Sequence, residues 1–201
     1  MIKNNVFNLE QFLANQKLIW TKYDSIDENS LLQSEKKFIN NLDRYILHTL
    51  EEVYEVQEAY IVFDNFEDYI SELNDVMMYC GTMLSIVNEN LKLLNSEEEF
   101  ETEITFELSK MSLQGLCIYT LNQLIKVRTF YKKRKWHKHS IELNKEEKYN
   151  TLKQAQFILI ELIKLYLGYS QLEISRWHPE LILSEMILDK QSFVIDLKET
   201  N

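Results

Sequence analysis

Three glycines and one proline in 201 residues leave this chain few ways to turn sharply. Hairpins and doubly wound sheets place such residues at most of their reversals, so a chain this poor in them folds into few, long elements. The expectation is an all-α fold, a helical bundle of about five to six helices in a single domain over residues 1–201. A net charge of −10 argues against a general nucleic-acid binder. The two cysteines, Cys80 and Cys117, fall in apolar helical stretches and read as core residues of a reducing compartment. Met1-Ile2-Lys3-Asn4-Asn5 opens without an apolar leader, and no run of about 18 uncharged apolar residues follows. A soluble, cytoplasmic protein without membrane contact is expected.

The periodicity predicts a first helix over Leu9–Tyr23 and a polar loop over Asp24–Asn29. Ser30 with Gln33 forms a capping-box pattern that opens a long helix to about Phe63. With Glu51 set at 0° and about 100° per residue, Phe38, Leu42, Tyr45, Thr49, Val53, Val56 and Tyr60 cluster on one arc, the core face. Asp64-Asn65 ends this helix and caps the next, Phe66 to Leu94, whose core face carries Leu73, Met77, Cys80, Leu84, Val87 and Leu91. An acidic loop over Asn95–Glu103 precedes a fourth helix from about Ile104 to Phe130. Asn144 with Glu147 caps a fifth, to about Tyr169. The signal weakens after Gly168, and His178-Pro179 reads as the start of a short last helix.

Two acidic patterns stand out on these helices. Glu51-Glu52-x-x-Glu55 is followed, sixteen residues on, by Glu72-x-x-Asp75. Residues three apart on a helix point nearly the same way, so Glu52 and Glu55 form one pair and Glu72 and Asp75 another. An acidic pair on an amphipathic helix is most often just a solvated face. Three observations weigh against that here. The acids border the core face. Glu51, Glu52 and Glu55 have Glu55, Val56 and Ala59 at the i+4 positions, where a cation would help. The pattern also recurs on the next helix. Two antiparallel helices would gather the four carboxylates, and an oxygen-only set suits Mg²⁺ or Mn²⁺. Glu52, Glu55, Glu72 and Asp75 are the candidate metal ligands. Glu51 and Glu58 are outer candidates that could orient a ligand or accept a proton, so Glu51, Glu52 and Glu55 form the candidate catalytic group.

This acidic signature resembles that of the all-α nucleoside triphosphate pyrophosphohydrolases, which include the MazG-type enzymes and the dimeric dUTPases. Glu72-Leu73-Asn74-Asp75-Val76-Met77-Met78-Tyr79 is similar to the family's second metal helix. Phe12-Leu13-Ala14-Asn15-Gln16-Lys17 resembles the first helix of the dimeric dUTPases, where a glutamine helps hold the nucleoside. The segment Lys126–Lys135 is placed like the family's phosphate-binding stretch. The sixteen-residue gap is nearer the MazG-type spacing, and the later segment lacks the glycine usual in dimeric dUTPases. The resemblance implies Mg²⁺-dependent hydrolysis of a (deoxy)nucleoside triphosphate to the monophosphate and pyrophosphate, with dUTP or dCTP the first substrates to try. It also implies assembly as a homodimer or higher oligomer, as does the apolar surface at Trp177, Leu181, Leu183, Met186 and Ile187.

The basic run from Lys126 to Lys138 reads most simply as a helix end, where cations suit the dipole. Its aromatic interleaving also fits a single nucleic-acid strand. A triphosphate needs cations on its outer oxygens, which makes Arg128, Lys132 and Arg134 candidate substrate contacts. Gln16 and Trp20, one turn apart, are the candidates on the nucleoside side. His48, one turn before Glu52, reads as a partly buried neutral histidine, and His137-Lys138-His139 is too short a cluster for zinc. The rival reading is a non-catalytic acidic helical protein that uses the same helices for interaction or regulation, its acids merely solvated.

Overall fold

The computed structural model describes residues 5–23, 35–62, 65–136 and 144–196. The fold is all-α: six helices and one two-stranded sheet lie among the described residues. In chain order these are β1 (Asn5–Asn8), α1 (Leu9–Tyr23), α2 (Glu35–Val62), α3 (Phe66–Leu94), β2 (Glu103–Phe106), α4 (Leu113–Trp136), α5 (Lys145–Trp177) and α6 (Leu183–Asp196). The loop over Asp24–Asn29, the Ser30/Gln33 box and His137–His139 lie outside the described residues.

Helix α3 is the axis of the bundle. Its residues are buried without a break from Cys80 to Asn88, so every face of this stretch meets another element. Leu73, Met77, Cys80, Leu84, Val87 and Leu91 are all in the core, as their spacing implies. Packing is most extensive against α2 and α5, with α1 on a third side. Asn65 caps α3 by accepting from the Glu67 N–H at 3.0 Å, and Glu67 and Asp68 in the first turn suit the positive end of the helix dipole. Cutting Leu73 or Leu84 to alanine would cost about 2–5 kcal/mol through lost burial and the cavity left behind.

The close approach of α1 to α3 depends on Gly81. A Cβ there would stand 2.4 Å from Cε1 of Phe12. On α2, Leu42, Tyr45, Thr49, Val53 and Val56 are buried as their arc requires. Tyr60 is 48% exposed near the helix end, where α2 runs beyond the surface that covers its earlier turns.

Three expectations about the second half need correction. Ile104 does not begin a helix. Glu103–Phe106 is a strand paired antiparallel with Asn5–Asn8, with Phe7 opposite Ile104. Ile104 and Phe106 alternate inward, a period-two pattern too short to register against the helical text that follows. The fourth helix instead starts at Leu113, behind Ser112, whose hydroxyl accepts from the Gly115 N–H at 3.1 Å. The fifth helix carries the expected box, with both Asn144–Glu147 bonds formed, but it continues past Gly168 to Trp177. That glycine is a packing device: an added Cβ would stand 2.1 Å from the Glu107 carbonyl oxygen, and the Gly168 carbonyl accepts from the Ser109 N–H at 3.1 Å. Finally, His178 closes α5 by donating its N–H to the Ile174 carbonyl at 2.8 Å. Pro179 follows the C-cap, where it stops one helix instead of starting another, and the last helix begins at Leu183.

The apolar C-terminal residues are mostly spent inside the fold. Leu183 and Ile187 belong to the core, Leu181 and Met186 pack against it, and Trp177 alone of the five is exposed. No helix among the described residues is long and apolar enough to cross a membrane.

Candidate metal and nucleotide cleft

Helices α2 and α3 are consecutive and joined by a short connection, so they pack as an αα-hairpin. Glu52 and Glu55 lie about two to three turns before its tip, and Glu72 and Asp75 lie about as far after it. The sixteen-residue gap thus brings both pairs to one level. Each pair borders the apolar face its helix turns to the core, so all four acids meet in one groove.

That groove is the acidic end of a cleft of about 530 Å³. Glu52, Glu55, Glu72 and Asp75 all line it. One carboxylate oxygen from each of Glu52, Glu55 and Glu72 lies within 4.8 Å of the others. Oxygens around a magnesium ion stand at most about 4.2 Å apart, so the three reach an ion with shifts of under about 1 Å. Asp75 falls outside this group of three. Its carboxylate accepts from Lys190, which also donates to the Ser71 carbonyl at 2.9 Å and to Ser71 Oγ at 2.6 Å.

The electrostatics describe an anionic site short of positive charge. Burial pushes the Glu52 carboxyl up to about 8, helped by the charges of Asp75, Glu55 and Glu72. Glu72 is raised by burial and by Asp75, with Lys190 opposing. Asp75 is raised too, because burial outweighs the Lys190 ammonium. A half-buried carboxyl that resists ionisation among other carboxylates is what a cation site looks like before the cation binds. The donors are all oxygens, a set that suits hard divalent cations such as Mg²⁺ or Mn²⁺.

The other end of the cleft is apolar with a few polar atoms. Ile19 and Trp20 come from α1, Tyr45 from α2, Met78 and Tyr79 from α3, and Val194 from α6. Gln16 and Trp20 also line it, and they are only 1% and 2% exposed. The Thr82 hydroxyl donates to Gln16 Oε1 at 3.0 Å. Gln16 Nε2 and Trp20 Nε1 have no hydrogen-bond partner, and no other buried side-chain nitrogen or oxygen among the described residues is left so. An unmet buried donor costs about 1–3 kcal/mol, so two on one wall ask for a ligand with acceptors.

The remaining candidates fall elsewhere. Glu51 does not line the cleft. It is exposed and accepts from His48 Nδ1 at 3.0 Å. Any part it plays runs through His48, which does line the cleft and stacks on Tyr79 at 5.6 Å. Glu58 is exposed and takes the Tyr54 hydroxyl. Arg128 pairs with Asp43 at 3.2 Å and is not on the cleft wall. The side chains of Lys132 and Arg134 lie outside the described residues. Two cationic residues that the sequence reading passed over are here instead: Arg44 on the wall, and Lys190 against Asp75. Arg44 had a usable signal. It precedes Glu55 by eleven residues, about 20° of net rotation, so Arg44, His48, Glu52 and Glu55 run along one stripe of α2. Lys190 had none.

No family model, curated protein or solved structure matches this chain.

Proposed function

We propose that this protein is a divalent-metal-dependent pyrophosphohydrolase of (deoxy)nucleoside triphosphates, releasing the monophosphate and pyrophosphate. One observation carries the reading: a single cleft has a carboxylate cluster at one end and two buried, unpartnered N–H donors at the other. The acidic end suits a polyphosphate that arrives with Mg²⁺ or Mn²⁺. The donor end suits an uncharged ring with acceptors on its edge, which the aromatic residues Trp20, Tyr45 and Tyr79 can flank. The resemblance of Glu51-Glu52-x-x-Glu55 and Glu72-x-x-Asp75 to the MazG-type and dimeric dUTPase signature supports the same class.

Glu52, Glu55 and Glu72 would hold the metal. When bound, a divalent ion supplies charge neutralisation and makes coordinated water more acidic. A carboxylate of the cluster that is not fully engaged as a ligand would take the proton from an attacking water. Arg44 replaces Arg128 as the cation proposed to meet the outer phosphates. Gln16 Nε2 and Trp20 Nε1 donate to the base, and Thr82 fixes the Gln16 amide. A homodimer belongs to the same reading. The exposed stripe of Leu47, Tyr54 and Ile61, seven residues apart along α2, is its best-placed surface.

The deciding experiment is a panel of ribo- and deoxynucleoside triphosphates with Mg²⁺, scored for pyrophosphate and monophosphate together. Turnover of a deoxypyrimidine triphosphate with equal yields of the two products is expected. No turnover of any triphosphate, alongside no metal-induced stabilisation, would return the acids to a solvated face and favour the helical interaction protein.

A further inference from the structure

The four acids of the cleft are not equivalent, and the difference comes from the far end of the chain. Lys190 sits on α6 and reaches across to α3. An ammonium has three N–H donors, and all three are used: one on the Asp75 carboxylate, one on Ser71 Oγ and one on the Ser71 carbonyl. Both partners in the ion pair are largely buried, with Lys190 20% and Asp75 25% exposed. The next residue fixes the helix that delivers it. Gln191 is fully buried, donates to the Phe12 carbonyl at 3.2 Å and accepts from Asn15 Nδ2 at 3.0 Å. Helix α6 is thus tied to α1 by one residue and to α3 by its neighbour.

We propose that Lys190 is a resident monocation of the acidic cleft. It holds Asp75 out of the metal-ligand set and limits the free protein to one divalent ion, on Glu52, Glu55 and Glu72. The proposal rests on the metal-dependent reading above and narrows it. Four carboxylates on two facing helices would by themselves suit a pair of ions, one held by each side. Here the side nearest Asp75 already carries a positive charge that cannot diffuse away. A second ion bridging Glu72 and Asp75 would have to displace an ammonium whose three bonds are all satisfied, against the repulsion of that ammonium at short range. The three-carboxylate group has no such competitor. Lys190 is therefore a positioning residue: it acts on the metal count through Asp75.

The test is the number of Mn²⁺ ions bound per chain, read by calorimetry and by the paramagnetic signal of free Mn²⁺, on the full chain without substrate. The parent should bind one ion. Lys190→Met keeps most of the stem that packs beneath α6 but removes the charge. It should bind two ions and show a larger Mn²⁺-induced rise in melting temperature than the parent. Lys190→Arg should stay at one. Two ions in the parent, or one ion in a folded Lys190→Met protein, would overturn the proposal while leaving the metal-dependent reading standing. No Mn²⁺ bound by the parent would overturn both. If Lys190→Met does not fold, anomalous scattering from Mn²⁺-soaked parent crystals decides. A single peak on Glu52, Glu55 and Glu72 with Lys190 still on Asp75 supports the proposal, and a peak on Asp75 refutes it.

Discussion

Replacing Glu52 by glutamine should stabilise the metal-free protein, although it removes a charged group from a polar cleft. The carboxyl takes up its proton at about 8 in the fold, against 4.5 for a free side chain, chiefly because it is buried and faces Asp75, Glu55 and Glu72. Below the lower value both folded and unfolded chains hold the proton, and there is no penalty. As the pH rises through the window between the two, the unfolded chain gives up its proton and the folded chain keeps it, so stability falls. Above the upper value the loss is complete, with a ceiling of about 5 kcal/mol. Glu52 is only half-buried, and solvent screening brings the ceiling down to about 1–2 kcal/mol. For a domain of this size that is about 3–6 °C in melting temperature. Glutamine keeps the shape and cannot ionise. In chelator, Glu52→Gln should therefore match the parent near pH 4 and melt about 3–6 °C higher near pH 9. With millimolar Mg²⁺ the order should reverse, because the parent gains binding energy that the variant has lost. A thermal-melt series with and without chelator checks both arms. A Glu52→Gln protein that follows the parent at every pH and ignores Mg²⁺ would show that Glu52 is an ordinary solvated acid.

Glu55→Gln and Glu72→Gln should each remove most of the Mg²⁺-induced melting shift and cut triphosphate turnover by about a hundredfold or more, and near-parental turnover in both would refute the cluster as the reaction centre. Trp20→Phe and Gln16→Leu should raise the KM for nucleotide while leaving Mn²⁺ affinity unchanged, since they lie at the donor end of the cleft. An equal loss of metal binding would mean that they only support the fold. Gly168→Ala should destabilise the protein by about 3 kcal/mol through contact with the Glu107 carbonyl, in chemical denaturation. Helix propensity alone predicts a gain of about 1 kcal/mol, so the sign of the change is decisive.

Helices α1 and α3 were legible to the residue, because each signal there is local. Asn65 caps α3, and the apolar arcs of α2 and α3 repeat over many turns. The errors lie where a local signal had two meanings. Gly168 reads as a helix end in sequence, yet its missing side chain makes room for the backbone after β2. Ile104 and Phe106 read as the start of a helix because four residues of alternation say little alone. The strand they form exists only because Val6 and Phe7, about a hundred positions earlier, offer an edge to pair with. Pro179 suits a helix start and a helix stop equally, and the His178 cap decides between them.

The acidic end of the cleft was legible for a related reason: its four residues sit on two consecutive helices, and a hairpin brings equal distances from its tip to one level. Arg44 was within reach of the same reasoning, being on the stripe of His48, Glu52 and Glu55. The basic run after Lys126 drew attention by its density. Density of charge is a property of the sequence, whereas a phosphate contact depends on which helix face meets the cleft, and Arg128 turns to Asp43 instead. Lys190 marks the limit of this reasoning, because its partner Asp75 is 115 residues away and neither α6's periodicity nor its charge points to α3. The carboxylate cluster can be inferred from one hairpin, but the charge that divides it arrives only when the last helix closes over the first. On the proposed function, metal count and base selection would both turn on such late contacts, Lys190 on one side and Gln16 with Trp20 on the other. Sequences sharing the acidic signature can therefore differ in both while keeping the hairpin unchanged.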